Sequence, residues 1–286
     1  MMDRVDLIII GAGPAGLMAA IQAKRQGIGF IIFEKSKPGG QALAANLIEN
    51  FPGILEGIKG VDLMQRFIDQ AKAHKIDFCK KEIVSLRKDN DFFQVLTNDL
   101  EYSSRCVILA TGLIPKTLNV PYENELLGKK VFSYINPEEL SHASKEVLVI
   151  GGGDAAFDQA LNFSRKAVRV TIAMKFSSSR CAPLLLERAR LANVDILYAI
   201  SATEFIDAGD KINAVFSDGS KISADYVITC IGKKTSLDFI DRKLLEDSAS
   251  GILFAGDCHR GIKRHIAIAC GDGTAAAMEA SEYLSK

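Results

Sequence analysis

Short apolar runs that end at glycine recur along the chain and predict the parallel strands of an α/β fold. Leu7–Ile10 leads into Gly11, and Val147–Ile150 leads into Gly151. Continuous apolar runs of this length are typical of strands that are buried on both faces of a parallel sheet. Each glycine turn is followed by a stretch of helical periodicity and then by a second apolar run. The pattern therefore predicts two strand–turn–helix–strand units.

Both units close with a similar sequence. An antiparallel-looking stretch precedes Cys106–Gly112 in the first unit and Tyr226–Gly232 in the second, where Asp218-Gly219 is a hairpin signal. The repetition predicts an internal duplication of one nucleotide-binding architecture. A final helix over residues 266–284 has no counterpart in the second unit. We expect it to return to the first domain and complete it.

The expected fold class is α/β, with two Rossmann-like three-layer (ββα) nucleotide-binding domains, the second inserted in the first. Residues 1–114 and 236–286 are expected to form the outer domain, and residues 115–235 the inserted domain.

Charge and cysteine content narrow the functional classes. The chain has 35 basic and 35 acidic residues, a balance that argues against nucleic acid or anionic lipid as a partner. No apolar span reaches the roughly 18 residues of a membrane helix. The six cysteines are scattered and no two are separated by two residues, which is typical of reduced thiols. We expect a cytoplasmic protein without a metal site.

The first glycine turn has the features of a dinucleotide site. Gly11, Gly13 and Gly16 allow a tight turn, and the helix that begins near Pro14 directs its positive end at a pyrophosphate. Glu34 lies 23 positions after Gly11, at the end of the next strand. A carboxylate there accepts hydrogen bonds from ribose hydroxyls and repels a 2′-phosphate. The site therefore suits FAD or NAD, whereas a turn that only packs a helix on a sheet is the alternative.

The second glycine turn lacks that acid. The same offset from Gly151 reaches Met174, which is followed by Lys175, three serines and Arg180. Cationic side chains without a carboxylate suit a 2′-phosphate, so NADP(H) is favoured over NAD(H). The alternative is a solvated basic loop. Two dinucleotide sites in one chain indicate hydride transfer between two cofactors, most simply a nicotinamide and a flavin.

The motifs in combination resemble low-molecular-weight thioredoxin reductases. The resemblance is carried by GAGPAGL, by PGGQ at Pro38–Gln41, by ENFPG at Glu49–Gly53, by CVILATG, and by GILFAGD before the last helix. It covers nearly the whole chain. It implies that the outer domain binds FAD, that the inserted domain binds NAD(P)H, and that the protein is a homodimer.

Positions that match the family motifs imply a set of ligand contacts. Those implied for FAD are Gly11, Gly13, Pro14, Ala15, Gly16, Glu34, Lys35, Gly40, Gln41, Asn50, Ala110, Thr111, Gly112, Gly256, Asp257, Arg264, His265 and Ile266. Those implied for the nicotinamide dinucleotide are Gly151, Gly153, Asp154, Ala155, Lys175 and Arg180. Asp154 is also a candidate cap for the helix after the second turn.

The chain departs from the family pattern at two places. Tyr134 and Pro137 stand where thioredoxin reductases carry the two thiols of a Cys-x-x-Cys, so the flavin has no internal dithiol to reduce. In this respect the chain is similar to thioredoxin-reductase-type ferredoxin–NADP reductases. The family's phosphate-reading segment His-Arg-Arg-x-x-x-Arg reads Met174-Lys175-Phe176-x-x-x-Arg180 here.

The predicted function is an FAD-dependent oxidoreductase that passes electrons from NADPH through the flavin to an external acceptor. A ferredoxin- or flavodoxin-like protein is the favoured acceptor, with a small molecule also possible. One alternative is a disulfide reductase that uses another thiol such as Cys258. The other is a flavin- or nucleotide-binding protein with little turnover.

Three side chains are weak catalytic candidates. Tyr134 is expected to stack on the flavin or to cover an interdomain surface. Cys258 follows Asp257, and a small buried thiol is the favoured interpretation, whereas a redox cysteine whose pKa is lowered by the N-terminus of the final helix is the alternative. His265 is a candidate proton shuttle or hydrogen-bond donor to the flavin, or an ordinary surface histidine.

Overall fold

The chain forms two compact units in the computed structural model, which describes residues 3–133, 135, 145–167, 169–246 and 251–286. Unit 1 contains the described residues within 1–43, 48–114 and 235–286. Unit 2 contains those within 44–47 and 115–234. Which dinucleotide each unit binds stays a prediction at this point.

The strands and helices are numbered along the chain. The strands are β1 (Asp3–Ile10), β2 (Phe30–Phe33), β3 (Phe78–Cys79), β4 (Ile83–Asp89), β5 (Phe92–Thr97), β6 (Glu101–Leu109), β7 (Ile114–Pro115), β8 (Val131–Phe132), β9 (Glu146–Ile150), β10 (Arg169–Ala173), β11 (Asp195–Leu197), β12 (Ala202–Ala208), β13 (Lys211–Phe216), β14 (Lys221–Ala224), β15 (Tyr226–Thr229), β16 (Lys233–Lys234) and β17 (Ile252–Phe254). The helices are α1 (Pro14–Arg25), α2 (Gly60–Ala73), α3 (Glu123–Leu126), α4 (Asp154–Ser164), α5 (Pro183–Leu191), α6 (Arg242–Glu246) and α7 (Ile266–Leu284).

Unit 1 is a three-layer structure around one sheet. Its strands β3, β2, β1 and β6 run parallel in that order, and β17 pairs in parallel with β6. The first half of β6 also pairs with β5, which begins an antiparallel layer that continues to β4. Along β1, Leu7 and Ile9 pack in the cluster that includes α1 and α7, while Ile8 and Ile10 pack on the β4–β5 side. Both faces of β1 are buried, which explains its continuous apolar run.

Unit 2 repeats this arrangement. Strands β11, β10, β9, β15 and β8 form a parallel sheet, and β12, β13 and β14 form a separate antiparallel layer. Val147 and Val149 pack in the cluster that contains the phenylalanines of α4, while Leu148 and Ile150 face the antiparallel layer. The predicted hairpin at Asp218-Gly219 joins β13 to β14. The predicted fold class, two Rossmann-like units in an α/β chain, is confirmed.

A short segment from the early part of the chain packs within unit 2. The backbone N–H of Asn46 donates to the carboxylate of Asp158 in α4 at 2.9 Å, and the Gln159 side-chain amide donates to the Ala44 carbonyl at 3.2 Å. Burial raises the pKa of Asp158. These contacts group residues 44–47 with unit 2, whereas the predicted bounds gave them to the first domain.

The last helix completes unit 1, and its predicted span of 266–284 is confirmed. Helix α7 packs closely on α1, where a Cβ built on Gly273 would lie 2.1 Å from the Ala15 carbonyl oxygen. Only glycine allows the two backbones to approach so closely. Three buried alanines, Ala276, Ala277 and Ala280, extend the contact. No helix of the described ranges is long and apolar enough to cross a membrane.

Candidate nucleotide-binding sites

The two glycine turns share one backbone geometry. The N–H of Gly11 donates to the carbonyl at the end of β2 at 2.8 Å, and the N–H of Gly151 donates to the end of β10 at 2.9 Å. Gly11 has φ of +102° and Gly151 of +148°, where other residues are strained. A Cβ on Gly11 would lie 2.4 Å from the carbonyl oxygen of Ala110, just after β6, and a Cβ on Gly151 would lie 2.3 Å from that of Cys230, just after β15. Both turns therefore require glycine for two independent reasons.

The helices that follow the turns begin without a side-chain cap. Gly13 is the N-cap of α1 and Gly153 the N-cap of α4, and a Cβ built on either would meet no atom within 4 Å. The space beside each N-cap glycine is therefore open, and no side chain caps the first turn of either helix, as a phosphate site requires. The predicted cap role of Asp154 is wrong, because Asp154 is the first residue of α4. Its Oδ1 instead accepts a hydrogen bond from the N–H of Ala182 at 2.7 Å.

Glu34 directly follows β2 and is held beside the first turn. Its Oε2 accepts from the N–H of Ala12 and its Oε1 from the N–H of Ser36, both at 2.9 Å. Each carboxylate oxygen has a further lone pair, so ribose hydroxyls can be accepted as well. Lys35 forms an exposed ion pair with Glu82 at 3.2 Å. Because its charge is already paired, this ion pair does not indicate a contact with a ligand.

The segment of Gly40 and Gln41 lies against the same turn. These residues begin a 3₁₀ helix over Gly40–Ala44, and a Cβ on Gly40 would be 3.2 Å from Cα of Gly13. The Gln41 side-chain amide donates to the carbonyl of Leu113, which follows the predicted Ala110, Thr111 and Gly112. Three predicted sets of residues thus meet at the carboxyl ends of β1 and β6.

The segment after β17 is fixed by a buried carboxylate that the sequence analysis missed. Asp272 in α7 is 7% exposed and accepts from the N–H of Gly256 at 3.2 Å and from Nε of Arg260 at 2.9 Å. Burial alone would raise the Asp272 pKa, but the Arg260 guanidinium and the Gly256 N–H lower it below its ordinary value. This network holds the 3₁₀ turn Gly256–Cys258, which carries the predicted ligand Asp257. A single acid within the apolar run IAIACGDGTAAA was the available signal.

The start of α7 is joined to the ENFPG loop. His265 is the N-cap residue of α7, and its Nδ1 lies 3.1 Å from Nδ2 of Asn50. Arg264 and Ile266 flank it, and Nε of Arg264 is buried with no hydrogen-bond partner among the described residues. The structure therefore brings Asn50 together with residues 264–266, as the motifs implied.

The residues of unit 1 fit an extended dinucleotide. The hydroxyl of Thr111 is buried without a protein partner, as is Nε of Arg264, and such orphaned polar atoms call for a ligand or water. The open space at Gly13 and the carboxylate of Glu34 supply sites for a pyrophosphate and a ribose. The donor set matches the phosphate, hydroxyl and ring-edge acceptors of FAD.

In unit 2 the position that corresponds to Glu34 is closed. Met174 follows β10 and is 1% exposed, and its Sδ would lie 3.1 Å from a Cβ on Gly152. Lys175 and Arg180 are exposed, and the N–H of Arg180 donates to the Gly152 carbonyl at 2.7 Å. The cations predicted to bind a 2′-phosphate therefore lie on a loop that is tied to the second glycine turn.

Cys258 is a buried thiol. It is 4% exposed, and its Sγ donates to the carbonyls of Leu109 at 3.2 Å and Ala255 at 3.4 Å. Burial raises its pKa to about 11. The favoured interpretation of a small buried thiol is confirmed, and the alternative of a lowered pKa is wrong, because α7 begins only at Ile266 and burial dominates instead.

The other thiols and candidates do not replace the missing dithiol. Burial raises the pKa of Cys106, Cys230 and Cys270 to about 12. Tyr134 lies outside the described residues. Within the described ranges, no cluster of three or more His, Cys, Asp or Glu side chains suits a metal ion.

The family of pyridine nucleotide-disulphide oxidoreductases matches residues 5–280. The chain belongs to this family. The thioredoxin reductase of Mycolicibacterium smegmatis is 30% identical over 303 residues, which cover 98% of this chain and 97% of that protein. The thioredoxin reductase of Bacillus subtilis is likewise 30% identical, with 98% and 95% covered.

Solved structures agree with this assignment. The thioredoxin reductase of Lactococcus lactis superposes with a TM-score of 0.89 at 26% identity and covers 98% of this chain and 99% of its own. That of T. acidophilum gives a TM-score of 0.87 at 28% identity, with 98% of both chains covered. The predicted resemblance to low-molecular-weight thioredoxin reductases is confirmed, and the chain is an FAD-dependent NAD(P)H oxidoreductase of this family.

Proposed function

We propose that this reductase uses NADPH and passes electrons through FAD to an external acceptor, without an internal dithiol. A small electron-transfer protein of the ferredoxin or flavodoxin type is the favoured acceptor. The absence of any Cys-x-x-Cys from the sequence carries this proposal. Desolvation also raises the pKa of four of the six thiols, Cys106, Cys230, Cys258 and Cys270, which disfavours the reactive thiolate. Bound FAD supplies hydride acceptance from a nicotinamide and can release electrons singly.

The chain's own residues serve mainly to bind and orient. The uncapped start of α1 and Glu34 would hold the adenosine and pyrophosphate of FAD, while Asp257 and residues 264–266 would hold its flavin half. Lys175 and Arg180 would hold the 2′-phosphate that distinguishes NADPH from NADH. No side chain has to exchange a proton for the hydride step, so no catalytic residue is assigned.

The loop before α7 supports an acidic protein as the acceptor. It carries Lys263 and Arg264 without an acid between them, next to Arg260, whose charge is paired with Asp272, and Ile262 at its centre is 97% exposed. Leu55, on the loop that Asn50 joins to His265, is 98% exposed. An apolar centre with a basic rim next to the flavin end of the site matches the acidic surface of small electron-transfer proteins.

A disulfide acceptor is the second candidate. The family description and the names of the relatives favour it. Such an acceptor would have to approach the flavin from outside, because the chain lacks the relay pair.

One experiment separates these candidates. The purified holoprotein is mixed with NADPH in a stopped-flow instrument, and loss of flavin absorbance is followed before and after the acceptor is added. We expect rapid bleaching by NADPH and reoxidation by ferredoxin or flavodoxin. Reoxidation only by oxidised thioredoxin or a small disulfide would favour the second candidate, and an unbleached flavin would contradict both. A homodimer, implied by the resemblance, and a cytoplasmic location, favoured by the scattered cysteines, are proposed as well, and sedimentation velocity tests the first.

A further inference from the structure

The loop after β10 gathers two cations around one aromatic ring. Cζ of Arg180 lies 3.3 Å from the ring centre of Phe176, and Nζ of Lys175 lies 5.1 Å from the same centre. Both distances are within the roughly 6 Å at which a ring face attracts a cation. A guanidinium at 3.3 Å is stacked on the ring, which restricts the rotation of an otherwise flexible, exposed side chain.

These two cations differ from most others that unit 2 positions. Among the described residues, no carboxylate pairs with Lys175 or Arg180, and neither cationic group makes a side-chain hydrogen bond. Elsewhere in unit 2 the fixed cations are neutralised by acids: Lys130 by Asp207, Lys145 by Asp225, Arg169 by Asp195 and Lys211 by Glu146. A ring holds a cation without using its N–H donors and without adding negative charge, so the pair remains available to an anion.

The loop itself is anchored at both ends. The carbonyl of Phe176 accepts from the N–H of Ala199 at 3.0 Å, and the N–H of Arg180 donates to Gly152 at 2.7 Å. Just beyond, the N–H of Ala182 donates to Asp154 at the start of α4. The ring therefore stands on a fixed backbone beside the second glycine turn, where a bound dinucleotide would place its adenosine end.

We propose that Phe176 is a positioning residue for the 2′-phosphate of NADPH. By stacking, it preorganises Arg180, and to a lesser degree Lys175, so that less side-chain freedom is lost when the phosphate binds. This inference rests on the proposed use of NADPH. It assigns discrimination between NADPH and NADH to an uncharged side chain.

The test compares Phe176→Leu with Phe176→Tyr, which keeps an aromatic face. Two measurements are made: kcat/KM for flavin reduction with NADPH and with NADH, and the Kd of 2′-phospho-ADP-ribose and of ADP-ribose by calorimetry. Arg180→Gln tests the use of NADPH directly. Lys221→Ala, which removes an exposed cation from β14, is the matched control and should change neither ratio.

For Phe176→Leu we expect KM for NADPH and Kd for 2′-phospho-ADP-ribose to rise by about two- to fivefold, the range that corresponds to cation–π attraction at exposed side chains. KM for NADH, Kd for ADP-ribose and kcat should change by less than about 1.5-fold, and Phe176→Tyr should keep both NADPH values near those of the wild type. Two results would overturn the role of Phe176 and leave the proposed use of NADPH intact. One is that Phe176→Leu weakens the binding of both nucleotides equally; the other is that it changes neither, while Arg180→Gln abolishes the preference for NADPH over NADH. A wild-type protein without preference for NADPH would overturn the proposed nucleotide and this inference together.

Discussion

Replacing Cys258 by serine tests whether any thiol takes part in electron transfer. The Cys258 Sγ donates to two backbone carbonyls, and a serine hydroxyl can donate to the same oxygens. The variant therefore keeps the local hydrogen bonds while removing the only thiol that lies next to a predicted flavin ligand. We expect flavin reduction by NADPH and transfer to a protein acceptor to stay within about twofold of the wild type.

The expected inertness follows from the thiol pKa. With a pKa of about 11, roughly 0.03% of Cys258 is thiolate near pH 7.5, whereas an ordinary cysteine of pKa about 9 is roughly 3% thiolate. Because the thiolate is the reactive form, alkylation of Cys258 should be slower by about 100-fold from this cause alone. Enclosure, at 4% exposure, slows the reaction further.

The assay is alkylation by iodoacetamide under native conditions, with peptide mass spectrometry to locate the modified residues. The half-buried Cys181 should be labelled well before Cys258, and Cys181→Ser serves as the control that removes the faster site. Rapid labelling of Cys258, or loss of acceptor reduction in Cys258→Ser with flavin reduction preserved, would refute the argument and support a thiol relay.

Three further predictions concern unit 1. Gly273→Ala should lower the free energy of unfolding by at least about 1–3 kcal/mol, measured by urea unfolding, because the new Cβ would lie 2.1 Å from a carbonyl oxygen of α1. Gly271→Ala is the control in the same helix: its Cβ would meet no atom within 4 Å, so the free energy of unfolding should be unchanged or slightly higher. Glu34→Gln should weaken FAD binding by about tenfold, because a charged hydrogen-bond acceptor is lost, and the FAD retained on dialysis measures this. If the variant retains as much FAD as the wild type, the ribose does not bind at Glu34. The pKa of Asp272 is lowered in the folded protein, so its carboxylate stabilises the fold at pH values above the ordinary carboxyl pKa of about 4. This contribution to the free energy of unfolding is lost as the pH falls through the pKa that Asp272 has in the folded protein. Asp272→Asn should therefore lower the free energy of unfolding at neutral pH, and this free energy should fall less on acidification than in the wild type. If it depends on pH as in the wild type, the pairing of Asp272 with Arg260 does not stabilise the fold.

Features that depend on local backbone constraints could be predicted from the sequence. The apolar runs of β1 and β9 indicated strands buried on both faces, and alternate residues of each run do enter separate clusters. The glycines at positions 11 and 151 indicated tight turns, and both adopt positive φ. A strand buried on two faces and a turn at positive φ each restrict the residue types that can occupy them, so the sequence records them directly.

Features that depend on contacts between distant residues could not be predicted in this way. Asp272 meets Gly256 and Arg260 only after α7 has packed on unit 1. Whether Cys258 is an activated or a buried thiol depends on enclosure by residues far away in sequence such as Leu109, so the sequence could favour the buried thiol but left the activated thiol as an alternative. Periodicity and spacing do not encode such contacts.

The duplication separates what the backbone does from what the side chains do. In both turns the glycine N–H donates to the last residue of the strand that follows the helix, β2 or β10, and both helices start without a side-chain cap, so neither feature distinguishes one dinucleotide from another. Discrimination must come from the residues after β2 and β10. There Glu34 reaches the first turn, whereas Met174 is buried and an acid introduced in its place would be a charge without solvent. On the proposed use of NADPH, selectivity in unit 2 would be left to residues 175–180, which is why the proposed role of Phe176 in ordering Lys175 and Arg180 has functional weight.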